Sequence, residues 1–297
     1  TALVGKWHVC RDANVVFDEV YDRIDISSNY FPDSTGVYDG PRLPILAVKE
    51  STYENEYMTD KLTSHAIQFM NKQSNATPFF LYLGYNAVHN PWQAEKKYYD
   101  RLSNIKDEYM RVQASLIACA DENIGILLNY LENRKLIDNT IIVFVSDNGP
   151  AKGGPELKTW EGYDPSFEYV FGQMKTLRGH KVDLYEGGIR TPMIIAYKPL
   201  LREGKVFRDM ISTLDFYPTI CEMTGSEIPE GTTLDGVSLV RYLREETKQQ
   251  PHDMLFWCRN NFGAARMGVW KLYKESDKTE LYNLREDIGE TKDVSAE

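Results

Sequence analysis

Three unbroken apolar runs constrain this chain more than anything else in it: Phe79-Phe80-Leu81-Tyr82-Leu83, Ile141-Ile142-Val143-Phe144-Val145, and Met193 to Tyr197. A strand with one wet face alternates apolar and polar residues, whereas a strand covered on both faces reads as continuous hydrophobicity. Helical patterns separate the runs. Leu62, Ala66, Phe69 and Met70 fall at helical spacing within 59–71. Tyr109, Val112, Leu116, Ala120, Ile124, Leu127 and Leu131 hold the i, i+3, i+4 pattern until the basic Arg134-Lys135, and 215–223 predicts a helix that stops at Gly225. Strands alternating with helices predict an α/β fold, a mostly parallel sheet flanked by helices.

The texture changes after Gln249-Gln250. Met254 to Trp257, Gly263 to Met267, Trp270 to Tyr273 and Glu280 to Leu284 are short strand-like runs between turns. They predict a small antiparallel α+β subdomain over 250–297, appended to an α/β domain over 1–249. Residues 10–56, rich in Asp, Asn, Ser, Pro and Tyr, predict a long irregular loop with short elements.

Composition narrows the partners. Asp and Glu outnumber Lys and Arg by 44 to 34, and the resulting net charge of -10 repels a phosphate backbone, so nucleic acid is excluded as a general partner. No apolar run approaches the ~18 residues that a membrane-spanning helix needs, so this chain carries no transmembrane segment. Cys10, Cys119, Cys221 and Cys258 are widely spaced, with no CxxC pair, and predict neither a zinc site nor a disulfide framework.

Ligands of open α/β sheets bind beyond the carboxyl ends of the strands, so polar clusters there are the places to look. The first run leads into Gly84-Tyr85-Asn86-Ala87-Val88-His89-Asn90-Pro91 and the second into Ser146-Asp147-Asn148-Gly149; Gly5-Lys6-Trp7-His8 reads as the sequel of a strand cut off at Thr1. Asp147 and Asn148 offer hard oxygen donors of the kind Ca²⁺ or Mg²⁺ takes, although Asp-Asn-Gly is also a common turn. Lys6 and His8 would contact one anion if extended, or sit as an ordinary exposed lysine and a capped histidine. His89 reads equally as a loop histidine or a proton donor. In Leu177-Arg178-Gly179-His180-Lys181-Val182-Asp183-Leu184-Tyr185-Glu186-Gly187-Gly188-Ile189-Arg190-Thr191-Pro192, paired glycines permit a backbone path closed to other residues. The bunched Arg178, His180 and Lys181 beside them suggest an anion-binding loop.

Together these segments resemble the sulfatases of the alkaline-phosphatase-like superfamily. The resemblance rests on Gly5-Lys6-Trp7-His8, His89-Asn90-Pro91, Ser146-Asp147-Asn148-Gly149, and Lys181 with Tyr185 to Pro192, in that order. Thr213-Leu214-Asp215-Phe216-Tyr217-Pro218-Thr219, Leu234 to Leu239 and Glu280-Leu281-Tyr282-Asn283-Leu284 extend it over essentially the whole chain. It implies an alkaline-phosphatase-like fold and the hydrolysis of sulfate esters, of sulfated saccharides or aryl sulfates. It implies Asp147 and Asn148 as two ligands of a catalytic Ca²⁺, and Lys6 and Lys181 as contacts to the sulfate and bridging oxygens. His89 would bind sulfate and help protonate the departing alcohol, and His8 would assist turnover. A periplasmic or extracellular location also follows from the resemblance alone.

In that family the nucleophile is a formylglycine made from the first residue of a Cys/Ser-x-Pro/Ala-x-Arg motif, and two further acidic calcium ligands come from the first strand. Neither occurs in these 297 residues. Both would lie upstream of Gly5-Lys6-Trp7-His8, so the chain reads as an N-terminally truncated sulfatase, incomplete in its metal site and inactive in isolation. The alternatives are a phosphodiesterase or phosphonate hydrolase of the same superfamily, and a non-catalytic protein that binds sulfated glycan.

Overall fold

Strand β1, Ala2–Lys6, runs through the centre of a three-stranded parallel sheet with β2, Glu19–Ile24, on one side. The computed structural model describes residues 1–9, 11–25, 28–31, 46–52, 56–74, 76–152 and 176–296. These divide into two compact units, the first within Thr1–Ile137 and the second formed by Asp138–Ala151 with the residues from 176 onward.

In the first unit, β3, Leu46–Lys49, precedes α1, Met58–Lys72; β4, Leu81–Gly84, completes the β2-β1-β4 sheet, and β5, Trp92–Glu95, pairs in parallel with β3. Helix α2, Lys96–Arg101, follows, and α3, Glu108–Asn133, starts where the Asp107 carboxylate accepts the Met110 N–H at 2.7 Å. Helix α1 buries Met58, Leu62, Ala66, Phe69 and Met70 on one face, the stripe that the sequence spacing predicts. Buried polar groups tie α1 to α3, with Asn123 Nδ2 donating to Asp60 Oδ1 at 2.6 Å. The residues predicted as an irregular loop contain β2 and β3; the stretch 32–45 within them lies outside the described residues.

In the second unit, β6, Ile142–Val145, pairs with a later strand rather than an earlier one. A one-turn helix α4, Glu186–Ile189, precedes that strand, β7, Met193–Ala196; α5, Phe216–Thr224, and α6, Val240–Leu243, follow. Helix α5 stops as predicted at Gly225, whose φ of 70° is left-handed. Strands β8 to β11, Leu255–Arg259, Phe262–Met267, Trp270–Glu275 and Lys278–Asn283, form the predicted antiparallel sheet as a simple meander. Its inner face carries Ala264, Tyr273, Tyr282 and Leu284 against Leu184 and Tyr185.

Two sequence expectations need adjusting. The pairing of β6 with β7 is antiparallel, because an apolar run reports burial and not strand direction. And β4 is not covered on both faces by the described residues: it ends its sheet, and Tyr82 remains 42% exposed while its ring packs edge-on to Trp7 at 5.6 Å.

Candidate active site

Lys6 is the last residue of β1, and the strand is irregular just before it. Gly5 has φ 88°, and the pairing with β2 shifts register between Val4 and Lys6. A Cβ at Gly5 would stand 2.4 Å from the Gly84 carbonyl oxygen, so only glycine allows β1 and β4 to approach here. A bulge of this kind bends the strand and redirects the next side chain. Trp7 then anchors the exit: its backbone N–H donates to Ile24 O and its indole Nε1 to Arg11 O, each at 2.8 Å. His8 follows, exposed.

His89 lies in the turn beyond β4, the parallel neighbour of β1, so Lys6 and His89 leave the carboxyl ends of adjacent strands. Its N–H donates to Asn86 O at 2.7 Å, and the Tyr30 hydroxyl lies 2.9 Å from Asn86 O and 3.0 Å from His89 O. Burial pushes the Tyr30 phenol well above its usual range, so that hydroxyl stays a neutral donor. His89 Nδ1 lies 2.8 Å from Asn90 O, and a carbonyl can only accept. Nδ1 therefore carries its hydrogen in that contact.

Asp147, Asn148 and Lys181 belong to the second unit, and there the backbone brings their segments together. Gly149 N–H donates to Gly188 O at 2.9 Å, Lys181 N–H to Pro150 O at 2.6 Å and Ser146 N–H to Pro192 O at 3.3 Å. The Asn148 amide nitrogen donates to Gly149 O at 2.8 Å, which leaves its oxygen as the donor atom for a cation, beside the exposed Asp147 carboxylate. Lys181 and Val182 form the tip of a turn closed by Asp183 N–H on His180 O at 2.9 Å, with Val182 at φ 80°. His180 turns inward to Asp183 and to Lys181 O.

The donor chemistry of Asp147 and Asn148 fits a hard cation, but two ligands of the six to eight that Ca²⁺ takes are a partial site. Among the described residues no group of three or more His, Cys, Asp or Glu could hold a metal.

Sequence reasoning passed over Glu186, although its motif was singled out, and missed Lys271 and Glu290. Lys271 is fully buried, its Nζ 2.9 Å from both Glu186 Oε1 and Glu290 Oε1. Burial acts to raise the Glu186 pKa, yet Lys271, Arg266 and Arg190 together hold it below the usual glutamate value, while burial keeps Glu290 above it. The Asp215–His252 pair was also unforeseen: the fully buried Asp215 takes His252 Nε2 at 2.9 Å and the N–H groups of Ser212 and Val237.

A family model described as Sulfatase matches residues 1–226, and one described as N-sulphoglucosamine sulphohydrolase, C-terminal, matches 180–297. The chain belongs to the sulfatase family. Among sulfatases it is 30% identical to the uncharacterized sulfatase YdeN of Escherichia coli over 92% of this chain and 50% of that protein. It is 28% identical to mouse arylsulfatase J over 91% and 45% of the two chains. An N-acetylgalactosamine-6-O-sulfatase of Bacteroides thetaiotaomicron is 27% identical over 77% and 42%. The chain thus spans about half the length of the curated sulfatases it matches. A crystal structure of Ps i-CgsB in complex with k-i-k-neocarrahexaose superposes with a TM-score of 0.78 at 30% identity, over 100% of this chain and 67% of that one. The family inferred from the ordered motifs is borne out, and so is the alkaline-phosphatase-like α/β fold with its antiparallel C-terminal sheet.

Proposed function

We propose that this chain is part of a sulfate-ester hydrolase acting on sulfated saccharides or aryl sulfates. The observation that carries the reading is the backbone clasp in which Gly149 bonds to Gly188 and Lys181 to Pro150. It brings the backbone segments of two hard oxygen donors and a lysine together in one unit, which supports a site for a sulfate group and its counter-cation. Relatives named as sulfatases of N-acetylgalactosamine and as arylsulfatases support the substrate class.

In this reading Asp147 and Asn148 would hold part of a Ca²⁺ site, and a bound cation would supply positive charge to the sulfate oxygens. The family resemblance assigns to Lys6, in the first unit, and to Lys181, in the second, the role of meeting negative charge that grows on the sulfate and bridging oxygens as the S–O bond breaks, in the manner of preorganised donors. His89 helps protonate the departing alcohol while Asn90 O holds the Nδ1 hydrogen, and His8 assists turnover.

Titration of the chain with inorganic sulfate tests the anion half of the reading. Lys181→Ala removes a charge-assisted contact of about 1.5 to 3 kcal/mol, so sulfate affinity should fall about tenfold or more, with stability changed by less than about 0.5 kcal/mol. Unchanged sulfate affinity in Lys181→Ala would make this loop scaffold, and its assignment would be withdrawn.

A further inference from the structure

The alternation of β10 is inverted. Trp270 and Leu272 face outward, 42% and 41% exposed, while Lys271 and Tyr273 point into the core, Tyr273 against Tyr185. A lysine in that row costs desolvation free energy that an apolar residue would not, and buried ion pairs seldom add net stability over apolar side chains of the same volume. Lys271 therefore needs another explanation, and its partners supply one.

Glu186, its first partner, opens α4 in the loop that carries Lys181. Glu290, its second, also accepts the backbone N–H of Glu186 at 2.6 Å through Oε2. Arg190 and Arg266 reach Glu186 Oε2 at 3.1 and 3.5 Å. Beyond Glu186 the contacts are backbone against backbone. Gly187 N–H donates to Arg178 O at 2.7 Å, and a Cβ on Gly187 would lie 2.4 Å from Gly179 O. A Cβ on Gly188 would lie 2.2 Å from Asp183 O, and one on Gly149 would lie 1.8 Å from Gly187 O. No side chain stands between these segments to absorb a shift. A displacement of Glu186 passes directly to Gly188 O, to Gly149 and so to the Asp147-Asn148 turn, and through Arg178 and Asp183 to the turn that presents Lys181.

We propose that Lys271 is a positioning residue: with Glu186 and Glu290 it makes the C-terminal sheet the frame that sets the anion-binding loop and the cation-binding turn relative to each other. The framing rests on the geometry alone; its bearing on sulfate rests on the function proposed above. The chemistry asks for a cation at position 271 because it serves both carboxylates at once, donating a hydrogen bond to Glu186 and pairing with the charge of Glu290, and a neutral side chain removes both ties.

The test uses the full chain with two variants. Lys271→Met alone leaves two buried carboxylates facing each other and destabilises the sheet. The triple variant Lys271→Met, Glu186→Gln, Glu290→Gln removes the charges together and keeps the volume. Amide hydrogen exchange in the triple variant should quicken at least tenfold at Gly149, Lys181 and Gly187 while the β9–β10 ladder from Phe262 to Glu275 stays protected, and inorganic sulfate should bind at least tenfold more weakly. Equal quickening throughout the ladder would mean that Lys271 only holds the sheet together, and unchanged exchange at Gly149 and Lys181 would mean that it positions nothing; either result overturns the proposal. Sulfate binding separates the two readings. Selective quickening in a protein whose sulfate affinity is indifferent to Lys181→Ala keeps Lys271 as the frame of the loop and removes sulfate as its ligand.

Discussion

The backbone N–H of Gly149 donates to the carbonyl of Gly188 at 2.9 Å, one of the backbone bonds that join the Asp147-Asn148 turn to the lysine loop. It forms only because both residues lack a side chain. Gly149→Ala would place its Cβ 1.8 Å from Gly187 O, a backbone atom with nowhere to go. Overpacking against backbone costs about 3 kcal/mol. Urea denaturation should therefore find the variant destabilised by that order, and a loss below about 1 kcal/mol would show that the two segments separate easily.

Calcium should bind the 297-residue chain weakly, with a Kd above about 1 mM, because two oxygen ligands are far from the six to eight that the ion takes. Asp147→Asn should abolish what binding there is. Calorimetry decides: micromolar binding that survives Asp147→Asn would place the cation elsewhere.

Val182 occupies the third position of its turn at φ 80°, while Lys181 before it stays out of the left-handed region; that is the type II pattern, which reserves this place for glycine. An L-residue there costs about 1 to 2 kcal/mol, partly offset in Val182→Gly by the greater entropy of the unfolded chain. The variant should gain about 0.5 to 1 kcal/mol in chemical denaturation. A loss of stability would mean that the exposed Val182 side chain contributes packing that outweighs its backbone strain.

Burial pushes the Tyr85 phenol up to about 12, against a hydrogen bond with Thr63 Oγ1 at 2.6 Å that acts to lower it. With the folded value raised, the stability contribution is complete below the unfolded value of about 10 and is lost as pH rises from there through about 12, since the unfolded chain ionises first. The drop is on the order of 2 kcal/mol. Tyr85→Phe should flatten that part of the stability curve between pH 8 and pH 11.5, and parallel curves for the two proteins would rule out a buried Tyr85.

The sequence displayed its strands better than their partners. Val143 and Ile195 both sit in unbroken apolar runs, yet nothing in either run states that they pair antiparallel. The helix of Leu62 and Phe69 was legible because its stripe is periodic, and the stop at Gly225 because only glycine relaxes at that φ. Lys6, His89, Asp147, Asn148 and Lys181 could be found as residues that follow strands or flank glycines. The support beneath them could not: in Trp270-Lys271-Leu272-Tyr273 the apolar alternation points to Trp270 and Leu272 as the buried pair, and only carboxylates distant in the sequence make Lys271 the one turned inward.

The lysine loop takes its shape from partners almost a hundred residues further along the chain. Arg178 bonds to the Tyr282 hydroxyl at 2.8 Å, Tyr185 donates to Glu280 at 2.6 Å, and Glu186 donates to Glu290 at 2.6 Å. Contacts of such sequence separation form late, after the entropy of closing the intervening chain has been met. On the ribosome, a nascent protein synthesised as far as α5 already contains Asp147, Asn148, Lys181 and the backbone partners that join them, but none of the C-terminal residues that hold Arg178, Tyr185 and Glu186. The lysine loop reaches this shape only when Glu290 has left the exit tunnel, so a polypeptide cut short in its last strands would lose the proposed anion site while keeping every residue that a motif search would count as part of it.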